Sequence, residues 1–420
     1  MDGEAGSTPP GAGSRRDAEA APDAGASGAE PPAAAPTTPD DIAAIASRAG
    51  LHRIHVLAWR DLDDPEAGGS ELHASTIARI WAQAGLDVTM RSSAAAGHPA
   101  YARRDGYRVV RKSGRYAVFP RTALSGLVGR TGARDALVEV WNGMPFFSPA
   151  WARCPRVVFL HHVHAEMWRM VLKPEILARL GEMVEFTVAP PVYRRSRIVT
   201  LSSSSRQEIV EMLGLPERNI SVVSPGVDPR FSPGGTRSPH PLVVAAGRLV
   251  PVKRFDMLID TLVELRGRHP GLEAVIVGEG YERPALEARI RAAGAGGWLS
   301  LPGHLSDDDL LALYRSAWVL ASTSLREGWG MTVTEAAACG TPSVVTRIAG
   351  HLDAVEQGAS GFLADGPELT DHLDLVLRDE ALRRRLGKGA IELASRFTWH
   401  ATARGTLEVL ASTAEARRRR

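Results

Sequence analysis

The chain has 420 residues, 44% hydrophobic and 23% charged, with a formal net charge of +2 and only two cysteines, Cys154 and Cys339. That length exceeds one ordinary core and suits two domains of about 150 to 200 residues each, while two distant cysteines exclude a disulfide framework and a Cys-rich metal site. The start Met1-Asp2-Gly3-Glu4 lacks a basic, then apolar leader, and no run of 18 apolar residues occurs, so export and membrane spanning are disfavoured and a cytoplasmic location is expected.

Residues 1–48 are rich in Ala, Gly, Pro, Ser and acids without usable periodicity, and read as a disordered low-complexity tail. Ile54 to Trp59 is a short apolar strand. A loop with Gly68-Gly69 follows, then an amphipathic helix from Ser70 to about Ala84 and a strand at Leu86–Met90, the opening of a Rossmann-like unit. Further strands fit Arg108–Val110, Ala136–Val140, Arg156–Leu160 and Arg197–Leu201, and Ser205-x-x-Glu208 is a capping box opening a helix that ends at Leu213-Gly214. Residues 101–200 carry a net charge of +10. Such a surplus suggests a basic face for anionic lipid or a phosphorylated ligand, with Arg103, Arg104, Arg194 and Arg195 as lipid contacts; arginines scattered over a solvated surface are an equal alternative. Nucleic acid is disfavoured, because no aromatic stacking pattern interleaves the cations.

Residues 231–241, rich in Pro, Gly and Ser, form the best linker, which sets the first domain at 49–230. A second βα alternation begins at Leu242–Ala246, with Arg248 and Lys253 in the loop after that strand. It continues through Ala274–Val277, Leu299–Leu301 leading to Gly303-His304, and Trp318–Ala321, and runs to about residue 396. Ser306-x-x-Asp309 caps a helix on the way. Alternating short strands and helices imply parallel sheets covered on both faces. Residues 397–416 read as a closing helix and 417–420 as a basic tail.

The densest chemistry lies at Glu327-Gly328-Trp329-Gly330-Met331-Thr332-Val333-Thr334-Glu335. Two carboxylates eight residues apart bracket a Gly-rich turn and a helix whose free N–H groups face any anion at its start. Ligands of parallel α/β sheets bind at the carboxyl ends of strands, and Gly68-Gly69, His161, Arg248 with Lys253, Gly303 and Glu327 all fall there.

In this order and spacing, Trp59-Arg60-Asp61 with Gly68-Gly69-Ser70-Glu71, Asn142 to Phe147, Leu160-His161-His162, Ser224 to Asp228, Arg248 with Lys253, and Glu327-x7-Glu335 before Cys339-Gly340-Thr341-Pro342 resemble the retaining GT-B glycosyltransferases of the bacterial group-1 and family-4 type. The resemblance covers roughly residues 52–412. It implies two Rossmann-like domains facing a central cleft, and metal-independent transfer of a hexosyl group, with retention, from a nucleotide-sugar to a glycolipid, polysaccharide or small metabolite. No cofactor is implied, since the nucleotide-sugar is the substrate. Carried over residue by residue, Arg248 and Lys253 contact the diphosphate, with backbone donors at Gly328, Gly330, Met331 and Thr332. Glu327 holds hydroxyls of the donor sugar, Glu335 the ribose diol, and Gly303-His304 faces the base. Gly68 and Gly69 let the first domain approach the reacting carbon, and His161 hydrogen-bonds the transferred sugar. His161 and His162 compete for that role, because adjacent strand-end residues point oppositely; His161 is the first choice. His164 makes a metal cluster conceivable, but no acid has matching spacing.

Different readings remain open. A non-catalytic nucleotide-sugar-binding protein would keep Arg248, Lys253 and Glu335 but has no use for a histidine or a glycine pair on the opposite domain. A nucleotide-sugar 2-epimerase on the same plan needs further acidic residues, which are not identifiable. An oxidoreductase lacks its Gly-x-Gly-x-x-Gly. The expected partners are therefore the donor, an acceptor, and an anionic membrane surface at the inner face of the plasma membrane.

Overall fold

The computed structural model describes residues 38–171 and 174–419. The first sheet is built from β1 (Arg53–Leu57), β2 (Asp87–Ser92), β3 (Tyr101–Arg104), β4 (Tyr107–Arg111), β5 (Ala136–Trp141), β6 (Arg156–Leu160), β7 (Arg197–Thr200) and β8 (Ile220–Val222), in the order β3-β4-β2-β1-β5-β6-β7-β8. Only the β3–β4 pair is antiparallel. The second sheet, β9 (Leu242–Ala246), β10 (Glu273–Val277), β11 (Leu299–Gly303), β12 (Val319–Ser322), β13 (Ser343–Thr346) and β14 (Gly361–Ala364), has the order β11-β10-β9-β12-β13-β14 and is parallel throughout.

These orders fix where a ligand can enter. The chain leaves β1 toward β2 and later returns to its other side as β5; it leaves β9 toward β10 and returns as β12. At such reversals the connecting helices lie on opposite faces and the loops after the strands part, opening a crevice. The loops after β1, β5, β9 and β12 are therefore the ones that line a cleft.

Covered on both faces, the central strands are largely buried, most completely at β5, where all six residues are buried. Val227 and Phe397 bring the crossings between sheets side by side: the Val227 N–H donates to the Phe397 carbonyl at 3.1 Å. Gly226 is required there, because a Cβ would stand 2.0 Å from the Trp399 nitrogen. The helix Trp399–Arg418 then buries Trp399, Ala403, Leu407 and Leu410 in the core of the first sheet, beside Ile54 and Trp81.

Two expectations need correction. The tail expected over 1–48 lies mostly outside the described residues, but Pro39–Ala49 is a helix. Thr38 and Asp41 form a reciprocal capping box at its start, and Ile42, Ile45, Ala46 and Ala49 bury one stripe against the helix Trp399–Arg418. The local composition conceals this, because the partner is more than 350 residues away. The helix expected to be capped by Ser205 instead starts at Ser203, with the Ser202 hydroxyl accepting from the Ser205 N–H at 3.0 Å.

Candidate active site

Loops at the carboxyl ends of both sheets meet at the two reversals. Gly68 opens the helix Gly69–Gln83 against the Arg248 guanidinium: a Cβ on Gly68 would lie 3.4 Å from Arg248 Nε, and one on Gly69 would lie 3.2 Å from Met331 Sδ. The glycine pair thus brings a helix start of the first sheet onto a helix start of the second. Glu71 fastens this turn, accepting from the Gly68 N–H at 2.9 Å and the Ser70 hydroxyl at 2.8 Å.

The guanidinium of Arg248, a partly buried residue, has no hydrogen-bond or ion-pair partner among the described residues. Most of the described arginines are bonded, so an uncompensated guanidinium at the crevice is a cation presented to an anion. The Met331–Ala338 helix lacks a side-chain cap; its N-cap Gly330 has φ +98°. The N–H groups of Met331 and Thr332 find no acceptor among the described residues.

Lys253 is committed differently. Its ammonium donates to Glu327 Oε1, which also accepts from the Ser324 hydroxyl at 2.7 Å. Burial alone would raise the Glu327 carboxyl, but Lys253, His351 and Ser324 hold it down at about 2. The loop carrying Glu327 is wedged: a Cβ on Gly328 would lie 2.6 Å from the His161 carbonyl oxygen. Sequence reading passed over His351, which is fully buried beneath this loop, donates from Nδ1 to the Thr346 carbonyl at 2.8 Å and lies within electrostatic reach of Glu327. The two motif carboxylates do not share an environment. Glu335 accepts from the Tyr314 hydroxyl at 3.3 Å, on the side facing Asp228 and Asp307, and burial pushes it up to about 7.

The histidine expectation changes. His161 is buried and shares a hydrogen bond of 3.2 Å with His73 of the helix Gly69–Gln83, between Nε2 and Nδ1, inside a group with Phe159. His162 is the one in the field of Glu327, Arg326, Arg248 and Lys253; burial brings it down to about 4, against the pull of Glu327. It stacks on His164 at 4.8 Å. Alternation at the strand end does separate the two side chains, but the first choice faces the interior. Gly303, at φ +88°, accepts from the Gly278 N–H at 2.8 Å, and His304 beside it is exposed. Among the described residues no three His, Cys, Asp or Glu side chains gather as a metal site.

Two buried glutamates that sequence reading also missed stiffen the cleft loops. Glu139, in the middle of β5, accepts from the Phe146 N–H at 2.6 Å and the Tyr193 hydroxyl, and Glu185 accepts from the His164 N–H at 2.7 Å, the Ala165 N–H at 3.0 Å and the Trp168 indole at 2.8 Å. Bonded this fully, a buried carboxylate orders the loops around it.

Residues 67–231 match the family model described as Glycosyltransferase Family 4, and residues 230–393 match that of glycosyl transferases group 1. Among curated proteins, the D-inositol 3-phosphate glycosyltransferase of Nocardia farcinica is 33% identical over 232 residues, 50% of this chain and 51% of that protein. That of Salinispora arenicola is 33% identical over 266 residues, 56% and 58% of the two chains. The chain thus spans about half the length of the curated relatives it matches. Among solved structures, sucrose-phosphate synthase from Thermosynechococcus elongatus superposes with a TM-score of 0.70 at 18% identity, over 84% of this chain and 97% of that one. Anabaena Alr3699/HepE in complex with UDP and glucose does so at 0.68 and 20%, over 86% and 100%. WaaG, a glycosyltransferase involved in lipopolysaccharide biosynthesis, gives 0.67 and 17%, over 85% and 99%. At these identities the likeness is one of fold, the two-domain GT-B fold.

Proposed function

Since the chain belongs to the group-1 and family-4 glycosyltransferases with a GT-B fold, we propose that it transfers a hexosyl group, with retention and without a metal, from a nucleotide-sugar to an acceptor held by the first domain. The observation that carries this reading is the unpaired Arg248 guanidinium against Gly68 of the other half, with the neighbouring Gly69 against Met331 at an uncapped helix start.

Breaking a glycosyl-phosphate bond puts negative charge on the diphosphate and positive charge on the sugar ring. Arg248, Lys253 and the amides of Met331 and Thr332 stabilise the first, the electrostatic contribution that usually dominates catalysis. Glu327, kept ionised, takes sugar hydroxyls, and Glu335 takes the ribose diol. His162 replaces His161 as the histidine reaching the transferred sugar. No carboxylate is placed as a nucleophile in this scheme: the acceptor oxygen bonds to the anomeric carbon as the carbon–phosphate oxygen bond breaks, and the departing phosphate oxygen takes the acceptor proton. Capture of a covalent glycosyl–glutamate adduct would refute it.

The donor is tested with a panel of nucleotide-sugars, scored for released nucleoside diphosphate. Release from one of them, abolished in Arg248→Ala, is expected; release from none overturns the reading. The membrane partner is part of the same proposal with different contacts. Arg104 is withdrawn, because it pairs with buried Asp61 at 2.7 Å and with Asp63 at 2.6 Å. Arg103, Arg194 and Arg195 are exposed. A stronger basis is segment 112–134, which has Lys112, Arg121 and Arg130, no acid, and exposed Leu124, Leu127 and Val128. No helix among the described residues is long and apolar enough to cross a membrane. Sedimentation with anionic vesicles that weakens as salt rises would support it, and no binding at low salt would remove it.

A further inference from the structure

The loops after β1 and β4 meet on the indole of Trp59. The Arg60 guanidinium lies over that ring at 4.0 Å and the Arg115 guanidinium at 5.3 Å, while the indole N–H donates to the Arg115 carbonyl at 2.7 Å. Arg60 is only 5% exposed. The carboxylate paired with both cations belongs to Glu66, whose side chain is 52% exposed, and Glu71 acts on Arg60 electrostatically as well. It pairs with both terminal nitrogens of Arg115 but stands 3.5 Å from Arg60 Nη2, and Arg60 Nη1 donates to the Glu66 carbonyl at 3.2 Å. Nε of Arg60 and Nε of Arg115 are both buried without a hydrogen-bond partner.

A buried guanidinium is costly unless its donors are met. Here the cation is inside, the anion hangs in from a solvent-side loop, and its planar carboxylate satisfies the Arg115 fork, while Arg60 keeps one backbone bond and a pair at 3.5 Å with its Nε unmet. Two forks converging from different loops match a tetrahedral anion, whose three oxygens serve both. The cradle also borders the donor side, since Arg248 lies within electrostatic range of both Arg60 and Glu66, and His164 of Arg60.

Resting on the transferase reading above, we propose that Trp59, Arg60 and Arg115 form an acceptor subsite for a phosphate monoester, and that Glu66 occupies it as an internal stand-in which the acceptor phosphate displaces. The acceptor is then a phosphorylated polyol or sugar, or a phosphorylated lipid headgroup; the recognition chemistry is shared.

The test is calorimetric titration of inorganic phosphate into protein saturated with UDP. Removing the stand-in frees the competent state, so Glu66→Gln should bind phosphate about fivefold or more tightly than the wild type. Glu66→Gln/Arg115→Ala should lose that gain. A Glu66→Gln variant no tighter than wild type, or a double variant that keeps the gain, overturns the subsite. The source is read next on Glu66→Gln: displacement of phosphate by glucose 6-phosphate marks a soluble acceptor, sedimentation with phosphatidic acid vesicles but not phosphatidylcholine vesicles marks a lipid one, and phosphate that neither displaces overturns the acceptor role. Failure of UDP itself to bind would count against the donor reading only, because phosphate can be titrated without it. Equal loss of UDP affinity in Arg115→Ala would assign the cradle to the donor and overturn the proposal.

Discussion

Lys253 and Glu327 neutralise one another across the loop that both line, so removing either one also changes what the other is free to bind. Losing the Glu327 charge frees the ammonium for the diphosphate. Glu327→Gln should therefore bind UDP several-fold more tightly while lowering kcat/KM for the intact donor by roughly two to three orders of magnitude, as for loss of one preorganised polar group. Weaker UDP binding in calorimetry would show that the pair serves the loop and not the ligand. Glu335 offers a pH test. Its folded value of about 7 lies above the 4.5 of an ordinary Glu, so between those values the folded chain holds a proton that the unfolded chain has lost, and stability falls as pH rises through that window. Glu335→Gln removes the effect, and its melting temperature relative to wild type should climb from pH 5 to pH 8. Ribose hydroxyls donating to Glu335 favour the ionised form, so the ratio of the variant's Kd for UDP to that of wild type should grow across pH 7. A ratio flat with pH would place the ribose elsewhere. Spacing made these carboxylates, Arg248 and Lys253 legible, because strand ends and a glycine turn are local signals. His161 and His162 were not separable by spacing, since the decisive contact, His73, comes from another element.

At the level of elements, the parallel strands were legible because runs such as Val157–Leu160 are continuously apolar. The helix Pro39–Ala49 was not, because its stripe has meaning only once Trp399–Arg418 lies beside it. The same holds for Glu139 and Glu185, whose purpose is visible only where the loops return to them; an acid in the middle of an apolar strand was the signal available for Glu139. If Pro39–Ala49 belongs to the folded core, Ile42→Ala should cost about 2 to 4 kcal/mol, as for a fully buried aliphatic side chain. Chemical denaturation reads this directly, and a loss below about 0.5 kcal/mol would return the segment to the tail.

For the whole molecule, the loop that carries Glu327 is fastened across the cleft. Asp353, of the second sheet's half, accepts from the Ser203 N–H at 2.9 Å, the Ser204 N–H at 3.1 Å and the Ser204 hydroxyl, and so caps the first sheet's helix Ser203–Leu213 from the opposite side. Nearby, the Gly328 carbonyl accepts from the Ser205 hydroxyl at 3.2 Å, and Arg326 pairs with Glu208 and, at 3.1 Å, with Glu166. The bonds flank Glu327 on both sides, so closing the cleft and setting the Glu327 carboxylate are one event in this geometry. Breaking them should open the free protein and leave the donor groups of the second half intact. Asp353→Ala is thus expected to enlarge the radius of gyration in small-angle scattering without nucleotide, to recover toward wild type with UDP, and to lower kcat more than it raises the donor KM. Unchanged scattering together with unchanged kcat would reduce these contacts to packing, and equal weakening of UDP binding would mean that the second half cannot hold its nucleotide until the first half has closed on it.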